Sequence, residues 1–286
     1  MIRTRSAAAA LALVLAAPAA HAAAPEGTLK RIRDAKSITI AYRTDAFPFS
    51  HERDKQPAGY SVELCKRVVA GLEQQLEVKP LAVKWVPATT QNRLDLVRKG
   101  EADMECGATT ATLSRMEVVD FSSPIFVDST ALLVRKGMGA TSLGGLAGKK
   151  IAVVGGTTNQ KALDQALKTA LVSATVLTVK TREEAVGALE SSAADAMAGD
   201  RVLLIGLAGQ VKDPAQYDLL GDDLALEPYA IVLPRGDVAF RLAVNRALSR
   251  IYSSEAIVEI FRRAFGPNAK PSAALTVMYG LGAYPE

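Results

Sequence analysis

Two apolar runs, Ala131-Leu132-Leu133-Val134-Arg135 and Tyr229-Ala230-Ile231-Val232-Leu233, are followed by Lys136-Gly137 and Pro234-Arg235-Gly236. They bracket a block that has its own alternation of strands and helices. Such a pair reads as two strands by which the chain leaves one lobe and later returns to it. A chain that crosses twice builds one lobe from both of its ends and inserts the other, with a cleft between them. The predicted architecture is therefore α/β with two lobes: 23–134 and 228–286 form the discontinuous lobe, and 135–227 the inserted one.

Working outward from the crossings, short β-branched runs alternate with amphipathic stretches, the pattern of parallel strands joined by crossover helices. Strands are predicted at 37–42, 82–86 and 102–106 in the first lobe, and at 150–154, 175–179 and 195–198 in the inserted one. From Pro267 the chain has several Gly and Pro and little periodicity, so an extended or loosely ordered tail is expected. A length of 286 residues suits two lobes better than one oversized core.

The composition, 49% apolar and 22% charged, excludes disorder for most of the chain. Met1-Ile2-Arg3-Thr4-Arg5, an alanine- and leucine-rich run and Ala20-His21-Ala22 read as a cleaved signal peptide, 1–22, too short and alanine-rich for a membrane span. No cysteine follows the cut to accept a lipid, so a product free in an oxidising compartment is expected. The formal charge of +4 loses Arg3 and Arg5 with the leader, too small an excess for nucleic acid or membrane binding. Cys65 and Cys106 remain in an exported chain, where a single disulfide is the favoured reading and two buried thiols the alternative. With no C-x-x-C and only His51 left in the mature chain, neither a metal site nor a Ser-His-Asp arrangement is indicated. Gly148-Lys149-Lys150 lacks the Ser or Thr and the glycine spacing of a phosphate-binding loop, so no nucleotide cofactor follows.

Ligands of open α/β sheets sit at the carboxyl ends of strands, where helix amino termini point. In the first lobe those ends carry Arg43, then Thr89-Thr90-Gln91-Asn92-Arg93, then Gly107-Ala108-Thr109-Thr110 with Thr112-Leu113-Ser114-Arg115. In the inserted block they carry Gly155-Gly156-Thr157-Thr158, Thr181-Arg182-Glu183-Glu184 and Gly199-Asp200. Thr90 and Thr112 each read as an N-cap with arginine at N3, and Thr181 as the cap of a box closed by Glu184, with Arg182 at N1. Cations in a first helical turn oppose the helix dipole unless an anion sits against the same turn. Asp200 is the odd acid in this cationic set, a candidate partner for an ammonium. Phe47-Pro48-Phe49 is a candidate apolar wall for ligand methylenes, with ordinary core packing as the alternative.

The order of segments resembles the periplasmic solute-binding proteins of polar amino-acid ABC transporters (bacterial solute-binding protein family 3), and within them the glutamate/aspartate-binding subgroup. The matching stretches include Gly59-Tyr60-Ser61-Val62-Glu63-Leu64-Cys65-Lys66, Glu105-Cys106-Gly107-Ala108-Thr109-Thr110, Val119-Asp120-Phe121-Ser122 and Gly156-Thr157-Thr158-Asn159. The likeness runs from about Gly27 to Phe265. It implies the type II periplasmic-binding-protein fold, a monomeric clamp with no catalytic residues and no cofactor, carrying an acidic amino acid to the permease and ATPase subunits of an ABC importer. It also implies that Arg115, Thr110 and Thr158 hold the α-carboxylate. Asp200 and the carbonyl of Ala108 hold the α-ammonium, and Arg43, Thr90, Arg93 and Arg182 meet the distal carboxylate. Ala108 departs from the subgroup's usual serine, and Arg182 from its frequent histidine.

Four arginines against Asp200 leave an excess of positive charge, to be balanced by Asp45 or Glu183 or by a more anionic ligand. Two rivals stand beside the binding reading. A cyclohexadienyl-type dehydratase on the same fold would need Glu183, His51 or Asp45 as acid or base, and a plain dicarboxylate carrier would have no use for Asp200.

Overall fold

In a computed structural model describing residues 26–285, the first lobe opens with α1 (Gly27–Ala35) and β1 (Ser37–Arg43). Three short strands follow, β2 (Asp45–Ala46), β3 (Ser50–Arg53) and β4 (Gln56–Ala58), forming a small antiparallel sheet of their own. Next come α2 (Tyr60–Leu76), β5 (Ala82–Ala88), α3 (Arg93–Arg98), β6 (Met104–Cys106) and α4 (Leu113–Met116). The first crossing, β7 (Asp120–Arg135), runs for 16 residues and leads into β8 (Lys150–Val154), α5 (Thr158–Thr169), β9 (Thr175–Val179), α6 (Arg182–Glu190), β10 (Ala196–Asp200), α7 (Arg201–Ala208) and β11 (Tyr217–Leu219). The return crossing, β12 (Ala225–Leu233), precedes α8 (Val238–Tyr252), α9 (Ala256–Phe265) and α10 (Ala273–Gly282). All eight predicted strands are present, and both crossings are longer than their apolar runs. The proposed leader lies outside the described residues.

One sheet threads the molecule in the order β5-β1-β6-β12-β7-β10-β8-β9, with β11 on the edge of β7. β1 is parallel to β5 and β6, and β8 is parallel to β9 and β10, while β7 and β12 run antiparallel to each other in the middle. The crossing pair is thus the seam between two parallel half-sheets. Helices cover both faces of each half, which is why the strands alternate between two buried faces instead of between core and water. Leu132 and Val134 of β7 join Ile151, Val153, Leu163 and Leu167 on one face, and Ala131 and Leu133 join Ala152, Leu189, Met197 and Leu204 on the other. In the first lobe Ile38, Ile40, Leu64, Met104, Ile231, Leu233 and Phe240 share one core, and Ala41, Leu96, Val97, Phe121 and Val232 the opposite face.

Cys65 of α2 and Cys106 at the end of β6 form a disulfide with their Cα atoms 6.4 Å apart, both fully buried. It ties the helix that packs behind the sheet to the strand whose following loop enters the cleft.

The tail departs from the expectation of a loose end. Ser272 caps α10 by accepting from the Leu275 amide at 3.2 Å, and Leu275 and Tyr279 are buried against the first-lobe core. The Tyr279 and Tyr60 hydroxyls are 2.6 Å apart, and Tyr60 donates to the Ile125 carbonyl of β7 at 2.7 Å. Burial of that apolar stripe outweighs the glycines, which only lower intrinsic helix propensity.

The disulfide closes a loop between residues 41 apart in sequence, worth about 3–4 kcal/mol in the chain-entropy view. The folded protein should therefore show no free thiol, and Cys65→Ser with Cys106→Ser should lower the thermal midpoint by roughly 6–15 °C. Two thiols titrating in denaturant without reductant would contradict the bridge.

Candidate functional site

The carboxyl ends of β1, β6, β8, β9 and β10 converge on the seam, and their side chains meet there. Arg43, at the last position of β1, is 1% exposed and donates to Asp45 Oδ2 at 2.7 Å and to Thr90 Oγ1 at 2.6 Å. Arg93, 5% exposed, donates through Nε to Thr109 Oγ1 at 2.9 Å and through a second nitrogen to the Thr90 carbonyl. Thr90 is not the expected N-cap: α3 starts at Arg93, with Asn92 before it, and Arg93 is N1 instead of N3. Thr89 and Asn92 exchange amide-to-side-chain bonds at 2.7 and 3.2 Å, which occupies the turn locally and leaves the Thr90 hydroxyl for Arg43.

Thr112 does cap α4, accepting from the Arg115 amide at 3.2 Å, and places Arg115 at N3, where its guanidinium donates to the Thr110 carbonyl at 2.7 Å. Ala108, buried in the first-lobe core, lies on the loop that carries Thr109 and Thr110. β12 holds this loop through Ala230 to Thr109 at 3.1 Å and Ala111 to Pro228 at 2.8 Å.

From the second lobe, Thr181 caps α6 as expected, accepting from the Glu184 amide at 3.1 Å, and Glu184 reaches back to the Lys180 amide. Arg182 then points across the cleft to Asp45 Oδ2 at 3.2 Å and back to Asp200 Oδ2 at 3.6 Å. Thr158 is the first residue of α5, capped by Thr157, and lies 3.5 Å from Thr110 of the other lobe. Asn159 donates to Asp200 Oδ1 at 3.1 Å. Gln91 donates to the Lys180 carbonyl at 2.7 Å, so the two lobes touch at the rim as well. All nine candidate residues thus border one region, except that Ala108 contributes no side-chain polar group.

Three buried acids completing this cluster were not anticipated. Glu105 of β6 is fully buried beside Arg43, Arg93 and Thr109. Glu227 of β12 accepts from Thr130 at 2.6 Å, from Thr158 at 2.8 Å and from Thr110. Asp128 of β7, opposite Glu227 in the register, accepts from the Val202 amide at the start of α7 at 3.2 Å and from the Tyr229 hydroxyl at 3.1 Å. Glu183 is exposed and takes no part, whereas Asp45 does balance charge, between Arg43 and Arg182. Arg43, Arg93, Arg115 and Arg182 face Asp45, Glu105, Asp128, Asp200 and Glu227, so the acids formally outnumber the arginines by one and the expected positive excess is absent.

Burial shapes each of these groups. It lowers Arg43, Arg93 and Arg115 below the ordinary arginine range, with further repulsion of Arg43 by Arg182 and of Arg93 by Arg43, while Asp45, Glu105 and Glu227 pull the other way. Burial works against the charge of Asp45, but Arg43 and Arg182 outweigh it and hold the carboxyl below its usual range. Glu105 is pushed up by burial despite Arg93 and Arg43.

The aromatic run divides. Phe49 is core, edge-on to Tyr60, Phe126 and Tyr229, as the alternative reading had it. Phe47 instead reaches α7, where a Cβ on Gly206 would stand 2.9 Å from its ring and its carbonyl. His51 packs edge-on against Phe47. Among the described residues, no group of three or more His, Cys, Asp or Glu is placed to hold a metal ion, and no helix is long and apolar enough to cross a membrane.

Residues 38–267 match the bacterial extracellular solute-binding proteins, family 3. The chain belongs to that family. It is 32% identical over 241 residues to an L-glutamate/L-aspartate-binding protein of Pseudomonas aeruginosa, covering 84% of this chain and 80% of the relative. It is 31% identical over 249 residues to the glutamate/aspartate import solute-binding protein of Escherichia coli K12, covering 85% and 82%. A solved ancestral amino acid-binding protein, a precursor of cyclohexadienyl dehydratase, superposes with a TM-score of 0.71 at 25% identity, over 84% of this chain and 100% of that one. Family 3 membership fixes the fold as the two-lobed type II arrangement described above. These relatives are solute-binding proteins, and this member of family 3 is a solute-binding protein, not an enzyme.

Asp128 gives the site a pH signature. Burial and the charge of Asp200 push its carboxyl up to about 7, against the hydrogen bonds it accepts, whereas an unfolded aspartate titrates near about 4. Between about pH 4 and pH 7 the folded state thus binds more protons than the unfolded one, and stability falls as pH rises. Glu105 and Glu227, raised as well, act in the same direction. Asp128→Asn should lose less of its thermal midpoint than the unmutated protein on going from about pH 5 to about pH 8. Equal losses would contradict the assignment.

Proposed function

We propose that this protein captures a free acidic L-amino acid, glutamate or aspartate, between its lobes in the periplasm and hands it to the permease and ATPase subunits of an ABC importer. Residues 1–22 are the leader that exports it, and the monomer closes its inserted lobe, 135–227, against the lobe of 23–134 and 228–286. The observation that carries the reading is the arrangement of four buried or half-buried arginines, Arg43, Arg93 and Arg115 from one lobe and Arg182 from the other, with the acid Asp200 of the second lobe among them. An amino acid with a second carboxylate presents the complementary pattern of two anionic ends and one cation.

In this reading the α-carboxylate meets Arg115, Thr110, Thr158 and the amino end of α5, and the α-ammonium meets Asp200 and the Ala108 carbonyl. The distal carboxylate lies among Arg43, Thr90, Arg93 and Arg182. Arg182, where the subgroup often has histidine, brings a guanidinium from the second lobe to that end. The relatives from P. aeruginosa and E. coli are named for the same two amino acids, which supports the acidic choice. The groups a dehydratase would need are engaged or remote: Asp45 joins two arginines, Glu183 is exposed, and His51 packs on Phe47.

Two calorimetric series test this. Arg115→Ala should weaken every amino-acid ligand alike, by about 2–5 kcal/mol where a desolvated charge pair is broken, whereas Arg93→Ala should weaken glutamate far more than glutamine. Equal losses for glutamate and glutamine in the Arg93 variant would contradict the assignment. In the second series glutamate should bind more tightly than glutarate, and Asp200→Asn should remove most of that advantage because the ammonium loses its counter-charge. Tighter glutarate binding to the unmutated protein would favour a dicarboxylate carrier.

A further inference from the structure

Glu227 lies where a ligand carboxylate is expected to arrive. It is 1% exposed on the return crossing, and its carboxylate gathers three hydroxyls from three parts of the fold: Thr110 from the first lobe, Thr158 from the second and Thr130 from β7. A threonine hydroxyl has one hydrogen to donate and can accept two. The Thr130 oxygen already accepts from Asn159 Nδ2 at 3.0 Å, so its own hydrogen is committed to Glu227 Oε1 at 2.6 Å. With Glu227 ionised, the hydrogens of Thr110 and Thr158 are both committed to Oε2.

Those two hydroxyls face each other across the cleft beside Arg115 and the amino end of the 12-residue helix α5, so they frame the natural landing place for a carboxylate. Two carboxylates cannot accept the same two hydrogens, and at this separation their charges repel. One proton on Glu227 Oε2 resolves both conflicts. The protonated oxygen donates to one of the two threonines, that threonine turns its hydrogen toward the ligand, and the negative charge is removed.

The neighbours favour this answer. Asp200 on β10 repels the ionised form of Glu227, Asp128 faces it across the crossing pair, and Tyr229 lies two residues along β12. Arg115 on α4 is the cation that feels the Glu227 charge, while Arg182 on α6 is tied to Asp45 and Asp200. Burial and Asp200 already raise the Glu227 carboxyl above its ordinary range. With Asp128 counted, five acids already face four arginines, so a ligand of net charge −1 adds to an excess of negative charge that an accompanying proton relieves.

We propose that Glu227 is the proton acceptor of ligand capture: a ligand carboxylate enters the Thr110–Thr158 cradle together with one proton drawn from solvent, which settles on Glu227 Oε2. This rests on the proposed placing of the α-carboxylate and applies to any amino acid held there.

The test is calorimetric titration of L-glutamate and L-glutamine near neutral pH in two buffers of widely different ionisation enthalpy. The unmutated protein should take up close to one proton per ligand with both amino acids, and the dissociation constant should rise about tenfold per pH unit in the alkaline range. Glu227→Gln should take up almost none, lose that pH dependence and bind more tightly above neutrality. Absence of uptake in the unmutated protein, or undiminished uptake in Glu227→Gln, would overturn the proposal. Should the variant fail to fold, the infrared difference spectrum of the unmutated protein with isotopically labelled L-glutamate decides: a protonated-carboxyl band of the protein must appear on binding, and its absence overturns the proposal. Glutamate bound without uptake removes the role of Glu227 and leaves the acidic-ligand reading standing; uptake with glutamine as the tighter ligand does the reverse. Failure of both amino acids to bind would remove the reading and this inference with it.

Discussion

A guanidinium taken out of water costs several kcal/mol unless an anion meets it, and this protein gathers four of them at one seam. The cluster persists because acids are interleaved with the arginines: Asp45 between Arg43 and Arg182, Glu105 behind Arg43 and Arg93, and Asp200 and Glu227 facing Arg115. The rest of the architecture keeps those charges in place. The crossing strands bring Glu227 and Asp128 to one register position, the disulfide fixes the strand before the Ala108–Thr110 loop, and capped helix starts aim Arg115 and Arg182 inward.

The same electrostatics explains how two lobes with separate cores come to share a site. Few apolar groups join them: Leu203 of α7 reaches the first-lobe core, and Phe47 lies over Gly206. The remaining bridges are polar and come from loops and helix starts, Arg182 to Asp45, Gln91 to Lys180 and Thr110 to Thr158. An interface of this kind can open without exposing much apolar surface. Because its polar groups need partners once dry, a ligand that supplies them stabilises closure.

Much of this was legible in the sequence, because it rests on local signals. The eight main strands follow from alternating apolar runs, and Thr112 and Thr181 follow from capping chemistry. Arg43, Arg93, Arg115, Arg182 and Asp200 follow from their places after strands. What stayed hidden depends on tertiary neighbours. Glu105 and Glu227 lie inside or beside apolar runs, where an acid reads as an outward-facing residue of a half-exposed strand. Only their setting, with both sheet faces covered, turns them into site residues. Thr90 looked like a cap, yet α3 starts only at Arg93 and the Thr89–Asn92 pair occupies the turn before it. Helix α10 has no charged residue to mark an exposed face, so its Leu275–Tyr279 stripe gave no contrast.

The central claim is that an arginine cluster interleaved with acids selects an amino acid with a second carboxylate. The most direct measurement is a calorimetric titration of the unmutated protein with glutamate, aspartate, glutamine and arginine under one set of conditions. The account predicts that glutamate or aspartate binds at least about tenfold more tightly than glutamine, a difference of about 1.4 kcal/mol, and that arginine does not compete. Glutamine or arginine binding as tightly as either acidic amino acid would contradict it.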